Sequence, residues 1–258
     1  MKSSLKPRLA CPLAIIFVIV LNASGASFST NAFSDAFVAT GPTGNLSGNN
    51  FGAAGALAIA ANTLPNGEFQ SVLQFDLSGA RDAFDSQYGA GLWTAQSVTL
   101  RLTSSPHSNP IFNDIAPGQF NVSLMQNNSW TEGTGTGGIP TTDGISFNSL
   151  QSTYINSVTD QALGTFTFSG GSSGANNYAL SLSSSLMAKL LTGDDLSLRL
   201  YAADNNISYL FSSRANAAAG PQLTITAVPE PTTLALWLGG LAMVMVWRWK
   251  RLPYQKRG

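Results

Sequence analysis

The chain alternates between apolar and polar positions over most of its length. In Ser71-Val72-Leu73-Gln74-Phe75-Asp76-Leu77, Leu73, Phe75 and Leu77 fall on one side, and Val72, Gln74 and Asp76 on the other. Val98, Leu100 and Leu102 share one face of the stretch 98–103. The same period of two runs through 120–126, 163–168, 178–182, 196–201 and 221–226. Such a period marks strands, whose side chains point alternately to opposite faces. One apolar and one polar face per strand predicts a core on one side and water on the other. Seven or more short strands predict an all-β fold, a jelly-roll-like β-sandwich.

Two stretches break the alternation. Residues 78–88, SGARDAFDSQY, read as a short helix or turn with Ser78 as its N-cap. Residues 183–191, SSSLMAKLL, bring Leu186, Met187, Leu190 and Leu191 to helical spacing behind serine caps. The runs GTGTGG at 133–138 and SGGSSG at 169–174 read as loops.

The two ends follow a different pattern. Lys2, Lys6 and Arg8 precede a 13-residue apolar run, Leu9 to Leu21, and then the small residues Ala23-Ser24-Gly25-Ala26. A basic start, an apolar stretch too short to span a bilayer and a small-residue site predict a secretory signal peptide over 1–26. Cleavage is expected after Ala26, or after Gly25. At the other end, Val228-Pro229-Glu230-Pro231 leads into TTLALWLGGLAMVMVW and the cations Arg248, Lys250, Arg251, Lys256 and Arg257. The 18 residues from Thr232 to Trp249 would reach about 27 Å as a helix, enough to span. Trp237, Trp247 and Trp249 suit membrane interfaces, and the basic flank stays on the cytoplasmic side. Both ends are then cytoplasmic and the body lies across the membrane. Pro229 and Pro231 keep the stretch before the span extended, the form a processing enzyme takes into its cleft.

Charge and composition sharpen the picture. Only 10% of residues are charged, against roughly 25% in an average domain. Residues 27–228 carry 12 acidic and 5 basic side chains, a net charge of −7, which disfavours nucleic acid as a partner. The one cysteine, Cys11, lies in the signal peptide, so the exported body has no disulfide. The one histidine, His107, sits in the loop-like SSPHSNP and has no second ligand for a metal site or a catalytic pair. No nucleophile elbow, phosphate loop or zinc-protease motif is present. The body holds two glutamates, Glu68 and Glu132, so an acid–base pair for sugar hydrolysis has few candidates. These absences predict a non-enzymatic protein without a cofactor. Asp194-Asp195 and Asp204-Asn205-Asn206 offer oxygen ligands of the kind Ca²⁺ takes, although the same residues favour turns. Trp93 and Trp130 are the candidates for stacking on sugar rings, with Tyr154 and Tyr178 behind them. Trp93 follows Gly89-Ala90-Gly91 at an expected loop edge.

The three-part tail resembles the PEP-CTERM sorting signal over residues 228–258. That resemblance implies an exosortase as processing partner, membrane attachment through the C-terminal helix, and an origin among Gram-negative bacteria that make extracellular polysaccharide. It marks Val228, Pro229, Glu230 and Pro231 as the processing motif, with Arg248, Lys250 and Arg251 as the basic flank of the anchor. It also implies a final place at the cell surface or outside the cell, after a membrane-tethered stage.

The body, residues 27–227, resembles the DNRLRE-type family, a carbohydrate-binding-module-like jelly roll. The matching stretches are Asp35-Ala36-Phe37-Val38, Asn49-Asn50-Phe51-Gly52, Leu57-Ala58-Ile59, Leu73-Gln74-Phe75-Asp76-Leu77-Ser78 and Val98-Thr99-Leu100-Arg101-Leu102. Ser129-Trp130-Thr131-Glu132-Gly133, Tyr209-Leu210-Phe211-Ser212-Ser213 and Pro221-Gln222-Leu223-Thr224-Ile225 complete them. The chain departs from the family after the Trp-Glu motif, where GTGTGGIPTT stands in place of a Thr-Trp-x-Asn-Pro-like segment. Three functions are expected in this order: a surface or matrix protein without enzymatic activity, a module that binds extracellular polysaccharide, and a polysaccharide-degrading enzyme.

Overall fold

The structure, a computed structural model, describes residues 24–105, 112, 115–171, 173–230, 239–245 and 247–248. Most of the expected signal peptide, His107, Pro231, Lys250 and Arg251 lie outside the described residues. Among the described residues no helix is long and apolar enough to cross a membrane.

Eleven strands pair throughout in antiparallel fashion. They are β1 (Ala26–Asn31), β2 (Ser34–Ala39), β3 (Ala56–Ala60), β4 (Phe69–Phe75), β5 (Trp93–Ser104), β6 (Gly118–Met125), β7 (Gln161–Phe168), β8 (Gly174–Leu180), β9 (Leu196–Ala202), β10 (Ser208–Ser212) and β11 (Gln222–Pro229). The sheet path is β1-β11-β5-β10-β3-β4-β9-β6-β7, with β2 on β4 and β8 on β5. Two joints in this path rest on single residue pairs, Phe211↔Ser104 and Ala60↔Phe69. They divide the strands into one extensively paired layer, β1-β11-β5-β8, and another, β2-β4-β9-β6-β7, joined through the antiparallel β3–β10 pair. The protein is therefore all-β and sandwich-like.

The alternating runs supply the core. Leu73 and Phe75, Val98 and Leu100, Phe120 and Val122, Leu198 and Leu200, and Leu223 and Ile225 share one buried cluster. Phe168 stacks on Tyr209 at 3.8 Å, and Phe120 meets Tyr178 edge-on at 5.1 Å.

The expectation of one wet face fails for β4, which is buried along its whole length, as are β2, β3 and β10. A second, smaller core covers the far face of the second layer. Trp130, Ile145 and Leu150 pack there on Ala36, Val38, Val72 and Met125. The chain between β6 and β7 makes this cover, with a short helix, α2 (Phe147–Ser149), running into a π-turn over Leu150–Tyr154. Two buried polar side chains of β4 find partners, one on each face of the strand. Gln74 donates to the Asn128 carbonyl at 2.6 Å. Ser71 both accepts from Ala58 N–H and donates to Ala58 C=O, at 3.0 and 2.8 Å. That hydroxyl replaces backbone pairing where β3 diverges from β4.

Two longer helices match the sequence reading. α1 (Ser78–Tyr88) buries Ala80 and Phe84. Its cap differs from expectation: Ser78 makes no capping bond, and Asp76 instead accepts the Ser78 N–H at 2.8 Å. α3 (Ser184–Thr192) is capped by Ser183, whose hydroxyl accepts from Leu186 N–H, and it ends on left-handed Gly193.

Candidate functional site

The expected processing segment has a definite place. Val228 and Pro229 are the last residues of β11, opposite Thr94 and Trp93 of β5. The Glu230 N–H continues the pairing by donating to the Leu92 carbonyl at 3.0 Å. The segment is extended, as its prolines require, but half-buried in the sheet rather than freely exposed. At the same end, Ala26 of β1 lies opposite Ala227 of β11. Tyr88, at the end of α1, donates from its hydroxyl to both the Ser24 and Ala227 carbonyls, at 3.0 and 3.2 Å. Strands β1 and β11 thus run across the expected boundaries at 26/27 and 227/228. Residues 239–245 are helical, and Leu241, Met243, Val244, Met245 and Trp247 are exposed, as is Arg248 of the basic flank.

Asp35, the Asn49–Gly52 stretch and the Trp130–Gly133 stretch meet at one point, beside Arg214. Asn50 sits at its centre, fully buried. Its amide donates to the Glu132 and Ile145 carbonyls, and its carbonyl oxygen accepts the N–H groups of Gly52 and Gly135. Space explains the glycines: a Cβ at Gly52 would lie 2.0 Å from the Glu132 carbonyl oxygen, and one at Gly135 would lie 1.9 Å from that of Asn50. Beside this knot Arg214 bridges two carboxylates. Its backbone N–H donates to Asp35 Oδ2 at 2.6 Å and its Nε to Glu132 Oε2 at 2.7 Å. Asp35 is 1% exposed and its Oδ1 has no partner. Burial pushes the Asp35 carboxyl up to about 7; the Arg214 amide opposes that rise, and nearby Glu132 adds to it. An acid with such a value can serve catalysis in an open cleft. Here Asp35 is closed off and faces an arginine-bound partner, so the arrangement works as a clasp between β2, the Trp-Glu segment and the loop after β10.

An open polar floor lies elsewhere, on the half of the second layer's outer face that the β6–β7 connection leaves bare. The register sets Arg199 of β9 opposite Val72 of β4, Tyr201 opposite Asn121 of β6, and Asn121 opposite Thr165 of β7. Arg199 donates from Nε to Gln70 Oε1 at 2.7 Å and places its guanidinium 4.1 Å from the Tyr201 ring centre. Among the described residues its terminal nitrogens carry no hydrogen bond. Desolvation lowers the Arg199 pKa, which the Tyr201 and Glu68 charges oppose. Gln70 also bonds to Glu68. Beside Glu68 a polar hollow of about 210 Å³ is lined by Asn62, Glu68, Ala202, Asp204 and Asn205. An aromatic ring, a guanidinium and side-chain amides on rigid strands are suited to a hydroxyl-rich ligand. The Leu196–Tyr201 alternation already sets Arg199 and Tyr201 opposite the core face.

The residues expected to contact sugars are elsewhere. Trp93 is 1% exposed, with its Nε1 donating to Asp85 Oδ1 at 2.7 Å and its ring against Phe84. Gly89 and Gly91, both at positive φ, let the α1–β5 turn fold back over it, so no loop edge exposes it. Trp130 is 3% exposed and donates to Ser197 Oγ at 3.1 Å beneath the second core. Neither offers a ring face to a ligand. Tyr178 is also buried, and Tyr154 packs half-buried against the second core. Asp204 spends its carboxylate on the turn: Oδ1 accepts from Asn206 and Ile207 N–H, and Oδ2 from Gln119 N–H. Asp194 and Asp195 follow the α3 cap on the surface. Among the described residues no three acidic, histidine or cysteine side chains gather as a metal site.

No known family model matches the chain, and no curated protein matches it.

Proposed function

We propose that this chain is an exported, non-enzymatic cell-surface or matrix protein with a DNRLRE-type jelly-roll body. A PEP-CTERM-type tail holds it at a membrane until an exosortase acts at Val228–Pro231. The observation that carries this reading is the pairing of the two ends. Ala26 lies opposite Ala227, so an N-terminal export signal and a C-terminal anchor leave the body side by side. A body threaded between two cytoplasmic ends meets the membrane with one end, and the pairing of β1 with β11 supports that arrangement. The exposed apolar side chains of Leu241, Met243, Val244, Met245 and Trp247 also support it, because a helix apolar on all sides is stable only in an apolar surround. Fractionation of an exosortase-bearing host tests the proposal. The full chain is expected first in the membrane fraction and then as a shortened species outside. Removal of residues 231–258 is expected to release the body without the shortening step. Full-length chain in the cytosol overturns the proposal.

The polar floor favours a second reading, binding of extracellular polysaccharide. Tyr201→Ala and Arg199→Ala are each expected to weaken glycan binding roughly tenfold, about 1.4 kcal/mol. A glycan array with the intact protein checks this, and no binding by the unaltered protein ends it.

A further inference from the structure

We propose that the end of the sheet carrying both chain exits docks directly on a bilayer of uncharged headgroups, an inference that rests on the tether just proposed. The sheet continues almost to the expected span. Pro229 is opposite Trp93, and Glu230 N–H is held by the Leu92 carbonyl. The apolar stretch begins at Thr232, and two residues of chain reach about 7 Å at most. Before the signal peptide is removed, Tyr88 also holds the Ser24 carbonyl, three residues beyond the apolar run that ends at Leu21. The C-terminal exit, the one that remains after signal cleavage, has no linker long enough to lift the body clear of the headgroups.

The surface between the exits fits that contact. The turn Gly89-Ala90-Gly91-Leu92 projects there, with Ala90, Gly91 and Leu92 exposed and Leu92 at 42%. Tyr88, half-buried beside it, has the amphipathic character of membrane-interface residues. Within residues 24–26, 88–92 and 228–230 the one charged side chain is that of Glu230, so no basic patch draws this end to anionic lipid. The contact comes from apolar insertion at the high effective concentration that a short tether imposes.

The test uses the full-length protein in phosphatidylcholine vesicles. With Cys11→Ser no cysteine remains, so Leu92→Cys, and separately Ala90→Cys, accept a single environment-sensitive fluorophore. Ala175→Cys is the control, since Ala175 lies opposite Thr103 at the far end of β5, about 30 Å away. Labels at 92 and 90 are expected to shift to the blue and to be quenched several-fold more by a headgroup-borne quencher than the label at 175. Added phosphatidylglycerol should not strengthen the effect, and a 20-residue Gly/Ser insert after Glu230 should abolish it. Equal, water-like emission at all three positions in vesicle-bound protein overturns the docking and leaves the tether standing. Protein that does not float with the vesicles overturns both.

Discussion

Asp35 brings its carboxyl into a nearly closed site where the nearest acidic neighbour, Glu132, already claims the Arg214 guanidinium. Its folded pKa is about 7 against 3.8 in the free residue. Between those values the folded chain holds a proton that the unfolded chain has released, so stability falls as pH rises from about 4 to about 7, and the full cost persists above. Asp35→Asn keeps an acceptor for the Arg214 N–H and removes the buried charge. It is expected to flatten this slope and to raise stability at pH 8 by a few kcal/mol, with little gain at pH 4, as read from urea unfolding at both pH values. Asn50 presents the reverse case, a buried polar side chain with every group satisfied. Asn50→Ala strands two carbonyls and two amides, and a loss of about 4 kcal/mol is expected in the same measurement.

At the scale of elements, the last residues of β11 decide how a protease would reach the proposed processing motif. Glu230 is bonded to Leu92 and Pro229 faces Trp93, so a protease must either peel this strand end or cut beyond it. The Glu230 amide is expected to exchange with solvent more slowly than that of an unstructured peptide, by hydrogen-exchange mass spectrometry. A flexible insert between Ala227 and Val228 is expected to speed processing by freeing the motif from β5. An unprotected Glu230 amide would mean that the strand end is open at rest. Elements also differ in how readable they are. β5, β9 and β11 alternate because one face packs on the core while the other meets solvent. β2, β3 and β10 are buried on both faces and carry runs such as ALAIA, in which no period of two stands out. β4 does alternate, yet Gln74 and Val72 lie under the β6–β7 connection, a cover more than thirty residues away in sequence.

The whole molecule closes through its ends. β11 lies between β1 and β5, so the C-terminal strand of the body holds the N-terminal one in place. A chain that stops at Glu230 keeps every strand and is expected to melt within a few degrees of the full protein. One that stops at Gly220 leaves β1 without a neighbour and exposes Leu223 and Ile225 contacts of the core. It is expected to lose cooperative unfolding, as followed by circular dichroism. The candidate site was legible only in part at this scale. Tyr201 and Arg199 share a face by simple alternation, but nothing local tells which of two outer faces will be covered. Trp93 and Trp130 looked available because aromatic side chains can either stack on ligands or fill cores, and only long-range packing chooses between them.

Period, spacing and composition are local properties, and they were enough to determine the alternating strands, both long helices and the polar, sparsely charged body. Tertiary structure decided what depends on contacts between distant segments. It buried the tryptophans, covered half of one sheet face, joined Asp35 to Glu132 and Arg214, and set Ala26 opposite Ala227. The physical reason is that side-chain alternation specifies which way a residue points along its own strand, whereas exposure and partnership depend on what the rest of the chain places against it.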